Sequence, residues 1–249
     1  MNLDNITKED AILLEEQVSL YQHRIPTKWT TIQNKIWNNY ADKLKFWTWS
    51  TFDMMESYLG MYSNGLGRYY TEDEKTYYRH RWYVRICSIL DEYYFYSKPG
   101  VYRHPDIKSK EYDINIYDNF HLDLKNTRIP KSLVKPLEYW LNHPEELINW
   151  YFTNQSTDER YSLNDRLIIV HHSKRGNELK LRGNLAYKDT VFDEYIKLLK
   201  ISSYILFVTE VENIKTREIC YPKGDIIFII EELDGTLSHK FASDKLNCN

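Results

Sequence analysis

Asp113-Ile-Asn-Ile-Tyr-Asp-Asn-Phe-His-Leu-Asp123-Leu-Lys125-Asn-Thr-Arg128 is the stretch on which the fold and chemistry of this chain turn. Two runs of alternating apolar and polar residues flank Tyr117-Asp118-Asn119, the pattern of two strands joined by a tight loop. A three-residue loop puts Ile116 opposite Phe120 and therefore Asp113 opposite Asp123. Lys125 lies two residues further and shares that face, because side chains along a strand alternate with period two. A two-residue loop would turn Asp113 to the other face. Asn119 is expected to take the left-handed backbone position that such loops need.

Two carboxylates and an ammonium at one point suit metal-assisted hydrolysis of a phosphodiester. Mg²⁺ takes oxygen ligands and keeps several waters, so two carboxylates suffice beside a substrate phosphate. The metal activates a bound water, and a lysine orients that water or offsets charge on the phosphate. The competing reading is plain: two solvated strand aspartates and a surface lysine. The acidic-x-Lys triplet carries little weight by itself, since Asp73-Glu-Lys75, Asp106-Ile-Lys108 and Glu178-Leu-Lys180 also contain it. The last of these, together with Asp165 before the apolar 166–172 run, is a competing site.

Composition sets the frame. The 249 residues suit one large domain or a domain with a helical addition, and are 42% hydrophobic with a net charge of -3. The molecule is no polycation, so nucleic acid would have to meet local basic patches. No apolar run reaches the roughly 20 residues of a membrane span, and the first residues lack a basic-then-apolar leader pattern. Cys87, Cys220 and Cys248 are odd in number and widely separated, which fits reduced thiols in a cytoplasmic setting.

Along the chain, residues 8–60 read as helical with a break at Pro26, on the spacings of Trp29, Ile32, Ile36 and Tyr40 and of Phe46, Trp49, Phe52 and Met55. This region, taken to residue 70, reads as a helical core or as an arm for dimerisation or DNA embrace. Asn64-Gly-Leu-Gly67 is a turn. Thr71-Glu-Asp-Glu74 opens a long helix with a capping box, and Tyr78, Trp82, Ile86, Ile89 and Tyr93 form its apolar stripe. After the hairpin come a helix from Pro144 to Phe152, a buried strand at 166–172, a helix at 189–199, and strands at 204–211 and 225–231. The fold class is α/β: a mixed sheet flanked by helices, with residues 71–249 as its body.

Asp113-x9-Asp123-Leu-Lys125 resembles the signature of the PD-(D/E)xK nuclease superfamily, and Asn126-Thr127 resembles the polar pair after the lysine in its restriction-endonuclease and resolvase members. The order helix, hairpin strands, helix, strand over about residues 71–172 is similar to that superfamily's αβββαβ core. The resemblance implies a DNA endonuclease, most simply a type II restriction-like homodimer. It makes Asp113, Asp123 and the Leu124 carbonyl ligands of Mg²⁺ (or Mn²⁺), and Lys125 the catalytic lysine. A glutamate from the preceding helix often joins such sites; Glu74 is the first choice and Glu92 the second. No proline precedes Asp113, so Asp106, after Pro105, stays in reserve. Asn126, Thr127, Arg128, Lys131 and Lys135, and Lys174 and Arg175 beside His171-His172, are the residues expected to meet DNA phosphates, with a solvated face as the other reading. The polar stretch Gln155–Arg160 is a further surface of possible contact. Other outcomes of this reading are a repair, recombination or phage-defence nuclease that reads structure rather than sequence, and a binding protein that keeps the fold without activity.

Overall fold

A computed structural model describes residues 1, 3–22, 50–63, 66–106, 109, 111–154, 163–201 and 203–247. The helical spacing expected around Trp29–Trp49, the Asn64-Gly65 half of the turn, Lys108, Cys248 and the stretch Gln155–Arg160 lie outside the described residues. The chain divides into two compact units, Met1–Tyr93 with Gly176–Leu185, and Tyr94–Arg175 with Ala186–Asn249. None of the described helices is long and apolar enough to cross a membrane.

The described residues of the first unit are mostly helical. Among the described residues it holds α1 (Lys8–Gln22), α2 (Phe52–Leu59), a small hairpin β1 (Tyr62–Ser63) and β2 (Arg68–Tyr69), and most of α3 (Glu72–Tyr96). Thr71 and Glu74 exchange the two bonds of a capping box: the Thr71 N–H donates to Glu74 Oε2 and the Glu74 N–H to Thr71 Oγ1. The buried face of α3 is wider than one stripe. Tyr77 and Tyr78, Trp82 and Tyr83, and Ile86 and Cys87 are buried in adjacent pairs, while Ile89 and Tyr93 are half-exposed. Trp82 meets the Phe52 and Tyr21 rings edge-on. The 176–185 segment carries the one-turn α6 (Glu178–Leu181), where the Lys180 carbonyl accepts from Tyr83 Oη and Gln22 Nε2.

The second unit is built on a mixed sheet. Its strands are β3 (Val101–Arg103), β4 (Ile114–Ile116), β5 (Phe120–Thr127), β6 (Arg166–Ser173), β7 (Phe207–Val208), β10 (Lys223–Glu231) and β11 (Leu237–Phe241), in the order β11-β10-β6-β5-β4-β3, with β7 on the start of β10. β3, β4 and β5 run antiparallel, whereas β6 is parallel to β5 and β10 is parallel to β6. Parallel strands need crossovers, and helices supply them. α4 (Leu137–Asn142) and α5 (Pro144–Thr153) lie between β5 and β6, and α7 (Leu185–Leu199) lies between β6 and β10. Both central strands are covered on both faces, which is why Leu167-Ile-Ile-Val170 and Ile226-Ile-Phe-Ile-Ile230 are unbroken apolar runs rather than alternations. Ile168, Val170, Ile226, Phe228 and Ile230 from one face of the sheet form one core with Leu147, Ile148 and Phe152 of α5.

Three expectations change. The strand expected at 204–211 is split: β7 pairs with β10, while β8 (Val211–Glu212) pairs with β9 (Ile219–Cys220) in a separate ribbon. The break falls where the Thr209 N–H turns to the Pro222 carbonyl. α7 begins four residues before Asp189, and β3, β11, α4 and the C-terminal turn α8 (Asp244–Asn247) have no counterpart in the sequence reading. The left-handed residues of the hairpin loop are Tyr117 (φ 53) and Asp118 (φ 58), not Asn119. The Asn119 N–H closes the turn on the Ile116 carbonyl, and the Asp118 carboxylate is held by Asn115 Nδ2. Asn119 is thus the extra residue that keeps the loop odd, and Ile116 faces Phe120.

Gly100 explains how a tyrosine tolerates that conformation. Its carbonyl accepts from the Tyr117 N–H, and a Cβ on Gly100 would lie 2.2 Å from Tyr117 Cε1. Gly100 also holds φ +81, which side chains disfavour. Gly100→Ala is therefore expected to destabilise the protein by about 2 kcal/mol. Adding Tyr117→Ala should recover part of the loss, with the backbone strain remaining; thermal unfolding of the single and double variants measures both parts.

Candidate active site

The lengths of β4 and β5 make the site. β4 has three residues and β5 has eight, so the β4 side of β5 is left unpaired beyond Leu122. The Asp123 N–H goes the other way, to the Asp165 carbonyl just before β6, at 2.9 Å. The next N–H, on Leu124, points back toward β4 and needs an acceptor. Asp113 supplies it: Oδ2 accepts from the Leu124 N–H at 2.7 Å. The Asp113 N–H in turn donates to the Leu122 carbonyl, one residue short of the regular register. Asp113 thus folds along the edge of β5 instead of standing squarely across from Asp123 as the simple register implies. It remains close enough for its charge to act on the Asp123 carboxyl.

Asp123 is 9% exposed, beneath the more open Lys125. Lys125 Nζ lies 3.9 Å from Asp123 Oδ2, and Asn164 Nδ2 donates to Asp123 Oδ1 at 3.4 Å. Burial pushes the Asp123 carboxyl above its ordinary value; Lys125 opposes the shift and Asp113 adds to it. Paired residues of adjacent strands share a side of the sheet. Asp123 pairs with Arg166, and Lys125 with Ile168, so both face the α5 core. The Arg166 guanidinium, fully buried, lies over the Phe152 ring at 4.7 Å and adds positive potential to Asp123. Asn164 and Arg166 escaped the sequence reading, because they reach Asp123 only through the parallel pairing of β5 and β6.

The other expected residues are distributed more widely. Glu74, in the first unit, is 7% exposed; it closes the capping box and receives both Arg68 guanidinium nitrogens at 2.7 Å. The Arg68 bonds hold its carboxyl below the usual range, against burial. Glu92 is a half-exposed residue of α3. Asp106 sits in a bend whose N–H donates to His104 Nδ1. The competing Glu178-Leu-Lys180 triplet lies on the helical turn α6, not on a strand. Residues two apart on a helix diverge, so that triplet cannot offer both side chains to one point.

Thr127 follows Lys125 on the same face of β5, whereas Asn126 alternates to the opposite face. Arg128 and Lys131 lie just past the end of β5, Arg128 half-buried and Lys131 exposed, and Lys135 sits over the Tyr139 ring at 4.7 Å. Lys174 and Arg175 follow the far end of β6, eight or nine residues from the Asp123 partner Arg166. That is roughly 25 Å along the strand from the carboxylates. There they pair with Glu232 at 2.6 Å and Glu231 at 3.6 Å, so the structure does not bring their charge to Asp123. His171 is buried, with Nδ1 at 3.2 Å from the Thr127 carbonyl.

No group of three or more His, Cys, Asp and Glu side chains is arranged to hold a metal ion among the described residues. A cation at Asp113 and Asp123 would take its remaining ligands from backbone carbonyl and water. Mg²⁺ accepts this where a transition metal prefers a fuller cage of imidazole or thiolate. The donors fit a hard divalent cation in one further respect. Asp123 is buried beside a second carboxylate, and a cation relieves the resulting negative potential. Compared with known proteins, the chain matches no family model, no curated protein and no solved structure.

Proposed function

We propose that this protein is a Mg²⁺-dependent endonuclease of the PD-(D/E)xK type that hydrolyses DNA, working as a restriction-like homodimer. The observation that carries the reading is the meeting of Asp113, Asp123 and Lys125 at one edge of β5, with Lys125 Nζ 3.9 Å from a buried carboxylate. The element order supports it: a long helix, the antiparallel β3-β4-β5, a helical crossover, and β6 parallel to β5 match the αβββαβ order of that superfamily. When bound, Mg²⁺ would supply a water activated for attack and a positive charge for the phosphate. Asp113 and Asp123 would hold the ion, with the Leu124 carbonyl beside them. Lys125 would orient the attacking water and offset charge on the phosphate, and Asn164 would keep the Asp123 carboxylate turned toward the site. Burial pushes the Asp123 carboxyl up and a bound cation would favour its charged form, so metal loading would weaken as pH falls.

Supercoiled and linear DNA incubated with the purified protein and Mg²⁺, with the ends sequenced, tests the reading. Defined fragments with uniform ends are expected for the restriction-like enzyme. Smears or cuts confined to junctions would shift it to a structure-reading nuclease. Absence of cleavage with either Mg²⁺ or Mn²⁺, together with absence of metal binding by calorimetry, would overturn it.

A further inference from the structure

Hydrolysis of a phosphodiester is an in-line displacement, with the attacking oxygen and the leaving oxygen on opposite sides of phosphorus. β5 carries one candidate group for each side. Lys125 is two residues beyond Asp123 and His121 two residues before it, and all three share one face. Each flanking residue is about 7 Å from Asp123 along the strand. A phosphate held at Asp123 with its water on the Lys125 side therefore presents its leaving oxygen toward His121.

His121 is built into place. It is exposed where Asp123 is buried, so it stands at the open end of the face. Its ring packs edge-on against Tyr112, the residue before Asp113, at 4.7 Å between centroids, and Tyr112 packs in the same way on His104 at 4.5 Å. His104 is itself held by the Asp106 backbone and by Glu111. From the β6 side the charged neighbour is Asp165, which lies within electrostatic reach of the His121 ring and whose carbonyl accepts from the Asp123 N–H. Asp123 and Lys125 are its neighbours on β5 itself.

Resting on the nuclease reading, we propose that His121 is a catalytic residue that donates a ring N–H hydrogen bond to the leaving oxygen of the scissile phosphate. As the water oxygen bonds to phosphorus, the bond from phosphorus to the departing nucleotide breaks and negative charge gathers on that oxygen. It ends as a hydroxyl, with the proton balance met by the attacking water. A donor aimed at this charge is worth most when the leaving group is poor.

The test uses the cut mapped on plasmid DNA and two oligonucleotide duplexes spanning it, one natural and one with sulfur replacing the leaving oxygen. His121→Phe keeps a ring against Tyr112 and removes the donor; His121→Gln restores an N–H. His121→Phe is expected to slow the natural duplex about 100-fold and the sulfur-bridged duplex less than about threefold, since a thiolate leaves with little assistance. His121→Gln should recover about tenfold of the loss on the natural duplex. Affinity for the natural duplex in EDTA, read by anisotropy, should be the same for all three proteins. Equal losses on both duplexes, or no loss on either, would overturn the role of His121 while the nuclease reading stands. An unchanged protein that cuts neither duplex would overturn both.

Discussion

Lys125→Ala is expected to slow DNA cleavage by about 100- to 1,000-fold, because one preorganised positive group at the phosphate is removed from a partly buried site. Folding should be untouched: Lys125 is an intermediate-exposure residue whose ion pair with Asp123 is long, at 3.9 Å. Asp123→Asn should slow cleavage at least as much, and it should raise the unfolding temperature. A carboxyl whose folded value lies above its unfolded one favours the folded state at low pH, and that advantage fades as pH rises through the folded value. At neutral pH Asp123 is therefore a liability, a buried negative charge beside Asp113, and the amide removes it. A gain of about 1 kcal/mol is expected. Asp113 differs, because Oδ2 satisfies the Leu124 N–H. Asp113→Asn keeps an acceptor there, whereas Asp113→Ala leaves a backbone donor unsatisfied, so the asparagine variant separates catalysis from folding. Undiminished cleavage by Lys125→Ala, with the same fragments, would sink the assignment.

The second large effect concerns Asp225, at the start of β10. Its carboxylate is fully buried: Oδ1 accepts from the Ile226 and Ser243 N–H groups, and Oδ2 from Tyr195 Oη at 3.0 Å. Burial pushes its carboxyl up to about 7, against the pull of those hydrogen bonds. In the unfolded chain it titrates near 4. Below that value both states hold the proton and the folded state keeps its full advantage. Between about 4 and 7 only the folded state holds it, so stability falls as pH rises, by on the order of 4 kcal/mol in all. Asp225→Asn keeps the oxygen that takes the two N–H groups and turns the other position into a donor toward Tyr195 Oη. Its stability should lose this pH dependence and exceed that of the unchanged protein at pH 8. Unfolding temperatures of the two proteins across pH 5–8 should converge at the acid end. Parallel curves would mean that Asp225 keeps an ordinary carboxyl.

Some of this molecule is legible without coordinates. β6 and β10 show as apolar runs because strands covered on both faces have no polar side to alternate with. The capping box at Thr71 and Glu74 is local chemistry, carried by four consecutive residues. β3 and β11 are not legible in the same way. Val101-Tyr-Arg103 and Leu237-Ser-His-Lys-Phe241 are short and partly polar, and only pairing with β4 and β10 makes them strands. α4, a six-residue helix that starts directly after Pro136, gains its place by burying Leu137 and Trp140 in the core of α5.

The candidate site divides along the same line. The residues of the hairpin already say that Asp123 and Lys125 share a face of β5, by period-two alternation, and that an odd loop sets Ile116 against Phe120; the place they implied for Asp113, squarely across from Asp123, is the part that changed. Sequence by itself also determined the chemistry on offer, oxygen donors and a nearby ammonium. Tertiary structure decided what surrounds them. The early end of β4 left the Leu124 N–H to be claimed by Asp113, and the parallel approach of β6 brought Asn164 and Arg166 to Asp123. The same strand carried Lys174 and Arg175 away to its far end, into ion pairs with Glu232 and Glu231. The alternation of one strand is written in its own residues, but its neighbours, and the burial and charge they impose, come from segments distant in the chain.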